Sequence, residues 1–110
     1  MAGFVQIIEY RTSKPDEIRA LGEDFRKTRV ASDDGPRPVR LLACADRDNP
    51  GRYFSIVEFA SYEEAMENSN REDTSEFAAK MMELTDGPAT FYNLDVEDTL
   101  DYGGTGSSGA

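Results

Sequence analysis

Histidine and tryptophan are absent from this chain of 110 residues, and cysteine occurs once, as Cys44. Without histidine, the chain lacks the commonest nitrogen ligand of metal sites and the usual general base near neutral pH. A single cysteine excludes an internal disulfide, which favours a reducing, cytoplasmic setting. No Asp-rich calcium loop and no nucleotide-binding glycine motif occur, so we expect neither a metal site nor a cofactor.

Long hydrophobic runs and an excess of basic residues are also lacking. No apolar stretch approaches the roughly 20 residues that a membrane helix needs, and no basic segment followed by an apolar one suggests a signal peptide. The chain has 22 acidic and 12 basic residues, for a net charge of −10. Nucleic acids and anionic membranes attract basic patches, so we expect neither as a partner.

Runs of β-branched and aromatic residues predict four strands, at 4–10, 39–45, 53–59 and 90–96. A first helix is predicted from Pro15 to near Val30, before a loop at 32–38. A second helical region opens at the capping pair Ser61 and Glu64 and is interrupted at 68–70. The order β-α-β-β-α-β indicates an α+β, ferredoxin-like fold with a four-stranded antiparallel sheet and helices on one face. We assign residues 1–98 to one domain and residues 99–110 to a flexible, Gly/Ser-rich tail.

The first and third strands repeat one another. F-V-Q-I-I-E-Y at 4–10 aligns with Y-F-S-I-V-E-F at 53–59, so that Glu9 falls on Glu58. We expect these strands to be parallel neighbours at the centre of the sheet, with the two glutamates side by side. Such a pair would raise the pKa of one carboxyl, which makes Glu9 and Glu58 candidates for general acid–base catalysis. The alternative is that each carboxylate lies at a strand end, where it is solvated or bonded to an amide at a helix start.

Strand alternation divides the sheet into two faces. Tyr10 and Phe59, each just before a helix, are predicted to face the helices. The opposite face carries Val5, Ile7, Glu9, Phe54, Ile56 and Glu58. This face is too apolar to be left in water. Since covering it at about 25 cal/mol per Å² is worth several kcal/mol, we expect a second copy of the chain to do so in a homodimer.

Three stretches carry a resemblance to a known family. They are Y-F-S-I-V-E-F-A-S-Y-E-E-A-M at 53–66, the first-strand motif, and D-G-P-A-T-F-Y-N-L-D-V at 86–96. Together they resemble the dimeric α/β-barrel superfamily, which includes antibiotic-biosynthesis monooxygenase-like proteins and uncharacterised small bacterial proteins. The resemblance implies a dimer with facing sheets, and a small-molecule pocket either between each sheet and its helices or within the barrel. Many enzymatic members use histidine, tryptophan or an Asn–Trp pair, so the resemblance implies no catalytic set here.

Seven side chains are candidates for lining a ligand pocket. They are Ile7, Arg40, Leu42, Phe54, Ile56, Asn68 and Asn93. Arg40 could pair with an anionic ligand or with Glu58, or be an ordinary surface arginine. Asn68 stands in the second helical region, where many relatives carry histidine. It could mark the lip of a pocket or simply satisfy the helix break by local hydrogen bonds.

Three functions are compatible with these features. The first is a homodimeric protein that binds a small apolar or aromatic molecule and has no recognisable catalytic set. The second is a cofactor-independent monooxygenase or isomerase that acts on an aromatic or polyketide-like compound. The third is an interaction module whose acidic surface binds a basic protein.

Overall fold

The computed structural model describes residues 3–32 and 37–102. Within these ranges the elements are β1 (Phe4–Arg11), α1 (Pro15–Ser32), β2 (Arg40–Ala45), β3 (Arg52–Phe59), α2 (Tyr62–Ser69), α3 (Glu72–Leu84) and β4 (Thr90–Asp95). The ferredoxin-like prediction is confirmed, and the predicted interruption of the second helical region separates α2 from α3. Most of the predicted loop at 32–38, and residues 103–110 of the tail predicted at 99–110, lie outside the described residues. No helix in the described ranges is long and apolar enough to cross a membrane.

Local sequence signals explain where the helices begin and end. α1 starts at a proline and has two acidic residues in its first turn, which complements the helix dipole. α2 is capped by Ser61, whose hydroxyl accepts a hydrogen bond from the Glu64 N–H at 3.1 Å, as the capping pair predicted. After α3, Gly87 adopts a φ of +105°, a left-handed conformation that favours glycine.

The strand order is β2-β3-β1-β4, and each neighbouring pair is antiparallel. Phe4 lies opposite Phe59, and Arg11 lies opposite Arg52. The expectation that β1 and β3 run parallel is therefore wrong. The helical connection makes β1 and β2 parallel, and the hairpin from β2 to β3 then reverses the chain, so β3 enters between them in the opposite direction.

The helix-covered face of the sheet carries a small core. Phe4, Val57 and Phe59 are buried against Ala65 of α2, and Phe4 also meets the Tyr62 ring edge-on at 5.2 Å. The predicted division of the strands into two faces is thus confirmed. α1 packs mainly against α3, through rings of Phe25 and Phe77 that stack 4.4 Å apart, and less against the sheet.

We call the opposite side of the sheet the open face. By the strand register it carries Val5, Ile7, Glu9, Arg40, Leu42, Cys44, Phe54, Ile56, Glu58, Thr90, Tyr92 and Leu94. No helix in the described part of the chain packs on it. Leu42 and Leu94 are 47% and 45% exposed, a large fraction for side chains of this kind in a folded domain. The open face therefore combines apolar character with solvent exposure.

Candidate functional site

A cavity of about 490 Å³ lies between the sheet and helices α1 and α3, and we call it the helix-side cavity. Its apolar wall is formed by Ile8, Ile18, Leu41, Val57, Phe77 and Met81. The space exists because α1 packs against α3 more than against the sheet, and because several of the residues that line it are small. Ala43, Ala45 and Ser55 form part of the sheet side, and Gly22 lies on the α1 side. The volume falls within the range of roughly 300–1,000 Å³ that small-molecule sites occupy.

Two tyrosines and a serine bring hydroxyl groups to the helix-side cavity. Tyr10 is buried, and its ring stacks on Tyr53 with centroids 5.8 Å apart. Burial raises the pKa of the Tyr10 hydroxyl, an effect that hydrogen bonding with Ser55 partly offsets. Tyr10 is therefore a neutral hydroxyl at physiological pH, suited to donating a hydrogen bond to a ligand oxygen.

Among the described residues, the charged side chains that line the cavity all belong to α1. These are Arg19, Glu23 and Arg26. The Arg19 guanidinium pairs with Asp16 at 3.1 Å on the exposed helix surface. The cavity thus joins an apolar, hydroxyl-bearing interior to a charged rim, an arrangement typical of sites that orient a small organic molecule.

Glu9 lies on the open face and is held by two donors. Its carboxylate accepts from Arg52 Nε at 2.9 Å and from the Tyr92 hydroxyl at 3.0 Å. The Arg52 hydrogen bond, followed by that of Tyr92, lowers the pKa of Glu9. The expectation of a raised pKa is wrong for Glu9, because its neighbours are donors and a cation where we expected a second carboxylate. Arg52 also pairs with Asp46 at 3.0 Å.

Glu58 lies toward the other end of the open face. It stands opposite Val5 in the sheet, whereas Glu9 stands opposite Phe54, so the predicted glutamate pair does not form. The antiparallel register is the cause, since it sends equivalent positions of the two repeats to opposite ends of the sheet. Glu58 pairs with Arg40 at 3.0 Å, which is one of the alternatives that we considered for this arginine.

The predicted pocket candidates fall into two groups. Ile7, Arg40, Leu42, Phe54 and Ile56 lie on the open face, outside the helix-side cavity. A pocket lined by these five would need a second subunit across the sheet, and it stays a prediction.

The two asparagine candidates make hydrogen bonds with other elements, away from the helix-side cavity. Asn93 faces the helix side of β4, where its side-chain oxygen accepts from Gln6 at 3.0 Å. The Asn68 side-chain oxygen accepts from Arg29 Nη1 at 2.9 Å near the end of α2. Neither lines the helix-side cavity. The Asn68 side chain thus takes part in a long-range contact with α1, and its predicted place at the lip of a pocket stays a prediction.

The Arg29 side chain connects α1 with α3, a role that the sequence interpretation missed. Its side chain is buried, bonds Asp73 at 3.1 Å and Thr74 at 2.8 Å, and lies over the Phe25 ring at 5.0 Å. Arg71 and then Arg29 hold the pKa of Asp73 well below its usual range. These contacts fix α1 against the start of α3. The available signal was spacing, since Arg29 follows Phe25 by four residues and so shares its helical stripe.

A second, more open depression of about 540 Å³ lies at the end of the sheet near Gly3. Three carboxylates reach it, from Glu58, Glu97 and Asp98. Among the described residues, no group of three or more His, Cys, Asp or Glu side chains is placed to hold a metal ion. The helix-side cavity is the better ligand site because it is more enclosed and combines apolar walls with hydroxyl groups.

Solved structures with the same fold include proposed and characterised oxygenases. SnoaB, a cofactor-independent oxygenase from Streptomyces nogalater, is 13% identical with a TM-score of 0.74, over 91% of this chain and 98% of its own. A proposed antibiotic biosynthesis monooxygenase from Caulobacter crescentus CB15 is 14% identical with a TM-score of 0.73, over 88% and 92%. A Mycobacterium tuberculosis protein is 18% identical with a TM-score of 0.65, over 92% and 98%. No family model and no curated protein matches the chain.

These matches show which fold the chain has. The chain has the architecture of antibiotic-biosynthesis-monooxygenase and dimeric α/β-barrel structures, as the sequence resemblance implied. At these identities the likeness does not extend to activity or substrate.

Proposed function

We propose that this protein binds a small, largely apolar or aromatic molecule in the helix-side cavity. The observation that carries the proposal is the cavity itself, with its apolar walls and the Tyr10 and Ser55 hydroxyls on one side. Such walls favour an organic ligand through burial of apolar surface, and the hydroxyl groups select a ligand with an oxygen placed to meet them.

We further propose that the protein acts as a homodimer joined through the open face. Covering the open face removes exposed apolar surface such as Leu42 and Leu94 from water. An isologous pairing uses one surface twice, so a single exposed sheet can serve both subunits. In such a dimer the two helix-side cavities lie on the outer sides of the paired sheets and remain open to ligand.

The proposal is tested by filling the helix-side cavity. Because the chain has no tryptophan, the fluorescence of 2-naphthol can be followed against a quiet background. Wild type is expected to bind this probe saturably. Ala43→Leu, which puts a bulky side chain into the cavity, is expected to weaken binding at least about tenfold.

Ala79→Leu is the matched control. It makes the same change on the exposed surface of α3 and should bind 2-naphthol like wild type. Equal affinity in Ala43→Leu and wild type would contradict the proposed site. A wild-type chain that binds neither 2-naphthol, 2-naphthamide nor 2-naphthoate would contradict small-molecule binding as the function.

A second candidate is cofactor-independent oxygenation of an aromatic compound. It is supported by the fold likeness to SnoaB, which is itself a cofactor-independent oxygenase. Such chemistry needs a base to activate the substrate, and the raised pKa of Tyr10 suits this hydroxyl to holding a proton rather than removing one. Oxygen uptake with a panel of phenols and hydroquinones tests the idea. Uptake that the cavity-filling Ala43→Leu abolishes supports catalysis in this cavity, and no uptake above buffer favours binding alone.

A further inference from the structure

The stripe of α1 that faces the helix-side cavity departs from what packing requires. Pro15, Ile18, Gly22 and Arg26 recur at spacings of three and four residues, and all four line the cavity. A helix lying over a sheet ordinarily places large apolar residues along such a stripe. Here the last two positions carry a glycine, which weakens a helix relative to alanine, and a charged side chain. Gly22 is half-buried and Arg26 is exposed, so these two positions lie at the rim of the cavity.

The Arg26 guanidinium folds back across Gly22. Its Nη1 atom lies 3.4 Å from the point that a Cβ on Gly22 would occupy. A methyl group at position 22 would therefore make an ordinary van der Waals contact with the guanidinium, and only a longer side chain would displace it. Glycine at this position leaves room for Arg26 to lie beside the cavity, where a longer residue would compete for the same space.

Arg26 also differs from the other α1 arginines in its partners. Arg19 pairs with Asp16 at 3.1 Å, and Arg29 is bound to Asp73 at 3.1 Å. No hydrogen bond or ion pair joins Arg26 to another of the described residues. Its guanidinium donors are thus free for a ligand, while those of its two neighbours on the helix are engaged. A guanidinium matches the two oxygens of a carboxylate better than any other side chain does.

We propose that the ligand of the helix-side cavity is an aromatic or similarly flat apolar acid, whose carboxylate is bound by Arg26 over Gly22. This inference rests on the proposed function and specifies its ligand class. The apolar body of the ligand occupies the space beneath α1, and Tyr10 donates a hydrogen bond to any oxygen at the inner end. The chain has a net charge of −10, which repels anions at long range, so recognition of an acid depends on this local cation.

The test compares 2-naphthoate with 2-naphthamide, which has nearly the same shape and no charge. Fluorescence titration of wild type is expected to give about tenfold tighter binding of the acid. Arg26→Gln should remove that preference while leaving the affinity for the amide unchanged. Gly22→Ala should keep the preference, because a methyl group there makes only an ordinary van der Waals contact with the guanidinium. Lys27→Gln, which removes one charge from the neighbouring, exposed position on α1, is the control and should keep the full preference.

Any other outcome contradicts the inference, and the individual outcomes differ in whether the proposed function still stands. Equal binding of acid and amide by wild type contradicts the inference and leaves the proposed function standing. A preference for the acid that survives Arg26→Gln also contradicts it, because the carboxylate must then be bound elsewhere. Failure of wild type to bind either probe or 2-naphthol overturns the inference together with the proposed function.

Discussion

The two faces of the sheet differ in what their side chains contact. On the helix side, large side chains alternate with small ones, and α1 stands away from the strands, so a cavity remains next to the buried core. On the open face, side chains meet across the strands, with an ion pair toward each end: Glu9 with Arg52, and Glu58 with Arg40. The first arrangement suits a small guest and the second suits another flat protein surface. Under the two proposals above, one four-stranded sheet has a ligand site on one face and a subunit interface on the other.

The largest effect is expected from a charge at the centre of the open face. Ile56 pairs directly with Ile7 between the two ion-paired ends. Ile56→Asp places two carboxylates in the proposed isologous interface, so the dimer dissociation constant should rise at least about 100-fold and leave a monomer at micromolar concentration. Light scattering after size-exclusion chromatography measures this change, with circular dichroism to confirm folding.

Met82→Asp is the control for the open face. Met82 is 63% exposed on α3, on the helix side of the molecule, so its replacement should leave the dimer intact. A wild-type chain that is monomeric at micromolar concentration would contradict the role assigned to the open face. An Ile56→Asp variant with the wild-type mass would contradict the interface.

The next effect concerns the contact that holds the helix layer. Arg29→Met keeps an apolar stem against Phe25 but removes the hydrogen bonds to Asp73, Thr74 and Asn68. Breaking a buried ion pair costs roughly 3–5 kcal/mol. Asp73 retains Arg71 and is partly exposed, so we expect the free energy of unfolding to fall by about 2 kcal/mol.

Chemical denaturation measures the loss, and Arg19→Met is its control. Arg19 pairs with Asp16 where both side chains are largely exposed, so this change should cost much less. Equal losses in the two variants would show that Arg29 does not hold α1 in place. The position of α1 over the helix-side cavity would then depend on the Phe25–Phe77 stack alone.

A smaller effect is expected in the pH dependence of stability. The pKa of Asp73 is lowered in the folded chain, so its ion pairs stabilise fully above the ordinary aspartate pKa of about 4 and lose that contribution as the pH falls further. The free energy of unfolding of wild type should therefore decrease below about pH 4, and Asp73→Asn should flatten the decrease. Denaturation curves from pH 7 to pH 3 check this. A difference in the free energy of unfolding between wild type and Asp73→Asn that increases as the pH falls would contradict the role assigned to Asp73.

The difference between the two faces also explains how far the sequence could be read. Alternation of side chains placed Tyr10 and Phe59 under the helices and Ile7 and Ile56 on the opposite side, because period-two patterns report the faces of a strand directly. The direction of β3 was misjudged, since a repeated motif shows that two strands are alike and does not show how they are oriented. That error alone produced the expected pairing of Glu9 with Glu58.

The family resemblance implied a pocket between the sheet and the helices as one of two positions, but the residues that line the helix-side cavity could not be found from the sequence in the same way. It arises from small residues on three separate elements, such as Gly22, Ala43 and Ser55, each unremarkable in its own segment. Only the packing of α1 against α3 brings them around one space. Arg29 was overlooked for a related reason, since an arginine near the end of a helix is ordinarily a surface residue and its partners lie 39 to 45 positions away.

Methyl-resolved NMR during a titration with 2-naphthoate tests the placement of the ligand site most directly. The two faces carry different methyl groups, so the spectrum reports which one the ligand meets. We expect shifts at Ile8, Ile18 and Val57, which line the helix-side cavity, and unchanged signals from Ile7 and Ile56 on the open face. Shifts confined to Ile7 and Ile56 would place the ligand between facing sheets and contradict the account.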